Sequence, residues 1–95
     1  MAPSAHADVA GAFSGTEWTV RAQPTTASAA VLRVKPLHKG TPDTVECWNN
    51  CSPQVQGGTY RCTSSGKQYK TWRPLKYNGR KYWVADECVS FGRIA

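Results

Sequence analysis

Asn78-Gly79 stands between two apolar-rich runs, Trp72 to Tyr77 and Arg80 to Ala85, and this constrains the chain more than any other feature. A two-residue Asn-Gly connection is the favoured type I′ turn, because both central residues take positive φ; the two runs therefore read as an antiparallel hairpin. Pro74 has no N–H to offer a ladder, so its strand lies at an edge or turns that side outward.

The rest of the chain continues in short β-type runs separated by turn residues. Trp18 to Arg21 and Ala30 to Val34 read as strands. Asp43 to Trp48 alternates, with Val45 and Cys47 on one side and Thr44, Glu46 and Trp48 on the other. Lys39-Gly40-Thr41-Pro42 turns the chain before it, and Val89-Ser90-Phe91 reads as a closing strand after an Asp86-Glu87-Cys88 turn. Pro24 and Pro36 bracket the one stretch, Ala27 to Leu32, that could suggest a helix. Asn49 to Gly66 is polar, contains Gly57-Gly58 and reads as a long excursion. The expected fold class is all-β: a small barrel of about five short strands with a long, disulfide-pinned insertion loop. Residues 1–15, rich in Ala, Gly and Ser, read as a disordered arm preceding a domain over 16–95.

Four cysteines in 95 residues indicate two disulfides and an oxidising compartment. Zinc knuckles favour paired C-x2-C spacing, whereas the nearest pair here is Cys47-x3-Cys51, so no metal is expected. Three connectivities are open. The reading favours Cys51–Cys62, closing the excursion on itself, with Cys47–Cys88 tying the middle strand to the turn before the last one. Ser4-Ala5-His6-Ala7 before Asp8 is similar to a signal-peptidase site, which places the arm beside a cleavage region; an Ala-rich tail is the bland alternative. No apolar run approaches the ~20 residues that span a bilayer, so no transmembrane segment is expected.

The formal net charge is +6, and its placement carries the argument. No acidic residue lies between Glu46 and Asp86, a stretch that holds Arg61, Lys67, Lys70, Arg73, Lys76, Arg80 and Lys81. A field of one sign attracts anionic polymers; a basic surface kept for solubility is the bland alternative. Tyr60, Tyr69, Tyr77 and Tyr82 lie in the same stretch, and aromatic faces among cations suit sugar, base or peptide docking. Disulfides weigh against nucleic acid as the partner. His6 falls in the arm and His38 in a turn, neither beside a nucleophile, and no Gly-rich phosphate cradle is present; the chain reads as no enzyme and needs no cofactor.

Val20-Arg21-Ala22-Gln23-Pro24, then Leu37-His38-Lys39-Gly40-Thr41, then Trp72-Arg73-Pro74-Leu75, Asn78-Gly79 and Tyr82 to Val89, in that order, resemble the bacterial SH3-like (SH3b) domain family. The resemblance spans roughly residues 18 to 91 and implies an SH3-like barrel that binds cell-wall peptidoglycan or related glycan–peptide material. Tyr82 stands where the family usually has Gly, and the insertion is longer than usual. The expected ligand groove is lined by Trp48, Tyr69, Tyr77, Tyr82 and Trp83, with Arg73, Arg80 and Lys81 supplying charge for carboxylates or phosphates. Trp72 and Val84 are expected in the core. The expected function is a secreted, cell-wall-associated binding module for peptidoglycan or an anionic glycan. The alternative is a secreted protein–protein module, a protease inhibitor or adaptor subunit, using the loop from Cys51 to Cys62 as a pre-organised element.

Overall fold

A computed structural model describes residues 9–36 and 43–94. The signal-peptidase-like Ser4 to Ala7, both histidines, and the Leu37 to Pro42 step and turn lie outside the described residues. The described chain is all-β, with eight strands in two antiparallel sheets. The strands are β1 (Ala10–Phe13), β2 (Trp18–Arg21), β3 (Ala30–Val34), β4 (Thr44–Glu46), β5 (Val55–Arg61), β6 (Gln68–Tyr77), β7 (Arg80–Ala85) and β8 (Ser90–Arg93). One sheet runs β4-β1-β8, the other β3-β2-β7-β6-β5. Two open sheets of eight strands replace the five strands expected.

The hairpin forms as its turn chemistry requires: Tyr77 faces Arg80, and Asn78 and Gly79 take φ of 52° and 75°. Its strand β6 is the longest and has different neighbours along one edge. Its first half pairs with β5, as in Val55 opposite Trp72. Beyond that point Cys47 bridges Leu75, and the Trp48 N–H donates to the Pro74 carbonyl (3.2 Å). Pro74 falls where β5 has ended, so its missing N–H interrupts no ladder. The alternation of an antiparallel ladder, counted from the turn, directs its backbone to that same edge.

The core lies between the sheets. Ala12 and Val45 from the smaller sheet meet Trp18, Val20, Val34, Leu75 and Val84 from the larger, with Tyr77, Tyr82 and Phe91 packed at its margin. Leu75 and Val84 are buried, and burying such a side chain contributes about 1.5–3 kcal/mol. Trp72 occupies the opposite face of β6, also buried. It meets the Tyr60 ring edge-on at 5.1 Å, and its indole N–H donates to the Gly58 carbonyl (2.8 Å).

Three further expectations change. The arm of residues 1–15 is too long, because Ala10–Phe13 forms the central strand of the smaller sheet. Its small residues are what the site demands: Ala12 is fully buried, and a Cβ on Gly11 would collide with Ile94 and the Val45 carbonyl. The excursion after Asn49 is not a loop throughout, since β5 runs through it. Gly57-Gly58, which reads as loop, is a close approach: a Cβ on Gly57 would strike the Pro24 carbonyl and the Trp72 ring, and the Gly58 N–H donates to that carbonyl (2.9 Å). The disulfides are Cys47–Cys51 and Cys62–Cys88, not Cys51–Cys62 and Cys47–Cys88. Pairing of β5 with β6 carries Cys62 past the end of β7 to Cys88, with Cα atoms 5.2 Å apart. The Tyr60 hydroxyl, accepting the Glu87 N–H (3.0 Å), fixes that approach. Cys51 returns beside Cys47 because Asn49, Asn50 and Cys51 all take left-handed φ, from 50° to 58°.

Candidate functional site

Counting outward from Asn78-Gly79 sorts the hairpin into two faces. Leu75 with Tyr82, and Tyr77 with Arg80, point to the core side; Pro74 with Trp83, and Lys76 with Lys81, point outward. Trp83 also faces Arg21 of β2, which sets Arg21 on the outer side. Trp48 joins this face. Cys47 pairs with buried Leu75, and Trp48 follows it with extended backbone (φ −89°, ψ 123°), so its side chain points the other way. The result is a lateral row, Trp48–Pro74–Trp83–Arg21, across three strands and the end of β4. Pro74 is fully buried in the middle of it, while Trp48 and Trp83 are half-buried.

Lys76 and Lys81 form the neighbouring row. The Lys81 ammonium sits 5.3 Å from the centre of the Trp83 ring. A depression of about 610 Å³ beside the row is lined by Glu46, Trp48, Asn49, Lys76 and Gly79, among others. Lys76 and Lys81 occupy a non-hydrogen-bonded pair, where opposed side chains come closest and like charges repel. Neither is ion-paired among the described residues. An anion held between them would relieve that repulsion, and the two indole faces offer stacking area beside it.

Of the eight residues read from the sequence as one groove, the fold gathers only three: Trp48, Lys81 and Trp83. Tyr77 and Tyr82 pack against the core with ring centres 6.4 Å apart, and exposed Arg80 lies opposite Tyr77 on that same side. Tyr69 lies near the far end of β6, its ring 6.0 Å from Tyr60 and 5.5 Å from the Lys67 ammonium. Arg73 is engaged internally: its Nε donates to Asp86 (3.0 Å), a terminal nitrogen donates to the Cys51 carbonyl (3.1 Å), and its guanidinium lies over Phe91. A single groove of all eight is therefore corrected to a strip. The strip adds Pro74, Lys76 and Arg21, which the sequence reading passed over. Pro74 and Lys76 were accessible by counting the hairpin register from Asn78-Gly79; Arg21 was not, because its alignment with Trp83 is a contact between distant strands.

The segment between Cys51 and Cys62, expected to be a free-standing disulfide loop, is mostly β5. All four cysteines are consumed in crosslinks, which are compatible with an extracellular location. No helix among the described residues is long and apolar enough to cross a membrane. Set against known protein families, curated proteins and solved structures, the chain matches none.

Proposed function

We propose that this chain is a secreted, non-catalytic binding module of SH3b type, and that the Trp48–Pro74–Trp83 strip with Lys76 and Lys81 takes an anionic glycan of the bacterial cell envelope. The observation that carries the reading is the pairing, on one sheet face, of two half-buried indoles with two opposed lysines that have no ion pair among the described residues. Aromatic faces pack against the C–H faces of sugar rings, and the lysines meet phosphate or carboxylate groups along the polymer. An SH3-like barrel agrees with the way β4 leaves β1 to join the edge of β6 at Cys47–Leu75, linking the two sheets.

Retention on purified peptidoglycan, prepared with and without its anionic polymer, tests the reading. At low salt the chain is expected to bind the polymer-bearing wall, and retention is expected to fall as salt screens the lysines. Trp83→Ala should weaken retention about tenfold, the scale of one lost stacking contact. Lys76→Glu with Lys81→Glu should abolish it. No retention on either preparation at low salt removes the proposal.

A further inference from the structure

A second recess opens two residues along the hairpin from Pro74 and Trp83, where Trp18 and Val84 from the core side also reach its lining. There Trp72 pairs with Ala85, and the space in front of them is a cleft of about 170 Å³. Its walls come from elements that the sequence separates widely. Arg21 and Thr26 contribute from β2 and the turn after it, and Tyr60 and Arg61 from the end of β5. The Cys62–Cys88 crosslink lines it as well. Two structural ties hold the walls in place. The Gly58 N–H to Pro24 carbonyl bond draws β5 to the β2–β3 turn, and the Tyr60 hydroxyl bridges the Thr71 carbonyl (2.7 Å) and the Glu87 N–H.

The charges in this cleft are unbalanced. Arg21 and Arg61 both line it, and neither is ion-paired to a carboxylate among the described residues. The one acidic residue on its wall, Glu17, is bound to Arg33 at 2.8 Å. Each guanidinium is anchored by carbonyl or amide oxygens: Arg21 by the Ser28 carbonyl (3.0 Å), and Arg61 by the Gly66 carbonyl and Gln68 (both 3.4 Å). Those anchors use one donor of Arg21 and two of Arg61, out of five on each. Two arginines with donors to spare, lining a recess this small, match one kind of ligand.

We propose that this cleft is a carboxylate-binding subsite, in which Arg21 and Arg61 hold the acid group and Ala85, backed by the buried Trp72, receives a short apolar body attached to it. The acid could be carried by the end of a peptide or by an acidic sugar; the recognised chemistry is the same. The subsite shares Arg21 with the end of the strip but uses neither Lys76 nor Lys81, so it does not require the glycan reading to hold.

Titration with N-acetylalanine, its amide and glucuronate, followed by amide and indole NMR, tests it. N-acetylalanine or glucuronate is expected to shift the signals of Arg21, Arg61 and Ala85 together. The amide should bind at least about tenfold more weakly than N-acetylalanine, since charge-assisted hydrogen bonds to arginine are lost. Arg61→Gln is at an exposed position, so the fold survives it, and it should weaken acid binding about fivefold or more. Lys76→Gln with Lys81→Gln should leave acid binding unchanged while reducing retention on the wall polymer. The proposal is overturned by equal affinity for acid and amide, by shifts confined to Lys76 and Lys81, or by no shift with either acid at about 50 mM, an upper limit for a specific small-ligand site.

Discussion

The two disulfides differ in almost every respect. Cys47–Cys51 spans a sequence separation of 4 with both cysteines buried, inside the core cluster. Cys62–Cys88 spans 26, and Cys62 is exposed. The short bridge shapes a turn: it closes three successive left-handed residues directly after the outward-facing Trp48. The long bridge shapes no turn. It fastens the end of β5 to the segment after β7 and walls the arginine cleft. One crosslink is local geometry and the other is chain entropy, and a small domain uses each for a different purpose.

That distinction is open to breakage, first through the long bridge. Removing Cys62 and Cys88 together, as serines, should cost about 3.5 kcal/mol by the loop-entropy relation, which corresponds to a fall in melting temperature of about 15–25 °C. Calorimetry under oxidising conditions measures it. Mild reductant followed by alkylation and mass spectrometry sharpens the same contrast: Cys62–Cys88 should open first, since Cys47 and Cys51 are shielded. Simultaneous labelling of all four thiols would mean that the short bridge is no more protected than the long one.

Arg73 joins the two regions. Its guanidinium donates both to the Cys51 carbonyl, beside the short bridge, and to Asp86, two residues before Cys88. Asp86 is nearly buried (side chain 10% exposed) and also accepts from Gln54. Arg73→Met keeps much of the apolar contact with Phe91 and removes the charge-assisted bonds; a loss of about 2–3 kcal/mol is expected, because the carboxylate stays in place with its main partner gone. Urea denaturation of Arg73→Met, Asp86→Asn and the double variant gives the coupling. A coupling near zero would show that the Arg73–Asp86 pair adds nothing to the hold between the two disulfide regions.

Removing the short bridge, by Cys47→Ala with Cys51→Ala, should cost less than the long one in chain entropy, about 2 kcal/mol. Its larger consequence is local. With the turn released, Trp48 loses its fixed place beside Pro74, so wall retention should fall while the NMR signals of the Arg21–Arg61 cleft stay where they are. The converse pattern, with the cleft disturbed and the strip intact, would reverse the roles assigned to the two bridges.

How far these features could be read from the sequence depends on the range of the force that sets them. Asn78-Gly79 is a local demand for positive φ, and the hairpin followed from it. Trp18–Arg21 and Ala30–Val34 were likewise legible from β-forming residues bounded by turns. β1 was not, because Ala10-Gly11-Ala12 has the composition of a tail; its small side chains are selected by the close approach of β4 and β8, which only the assembled sheet reveals. β5 was hidden for a similar reason, its glycines answering to Pro24 and Thr25 across the fold. The disulfide pairing and the internal role of Arg73 depend on which strands end beside one another, so spacing alone left them open. Among candidate ligand residues, register separated the outward Trp83 and Lys81 from the inward Tyr77 and Tyr82, while composition had merged them.

The smallest effect probes whether the short bridge or the backbone imposes the left-handed turn. Asn tolerates positive φ better than other residues with a Cβ, and Asn49 and Asn50 supply two of the three positions; Cys51 has no such excuse. Asn50→Val should therefore cost about 1 kcal/mol, since a β-branched side chain is strained there, and Asn50→Gly should be near neutral. Repeating Asn50→Val in the Cys47→Ala, Cys51→Ala background separates the causes. If the crosslink forces the conformation, the chain relaxes once it is gone and the valine penalty shrinks toward zero. A penalty of the same size in both backgrounds would place the cause in the packing of the turn against β6, with the disulfide merely following a shape already made.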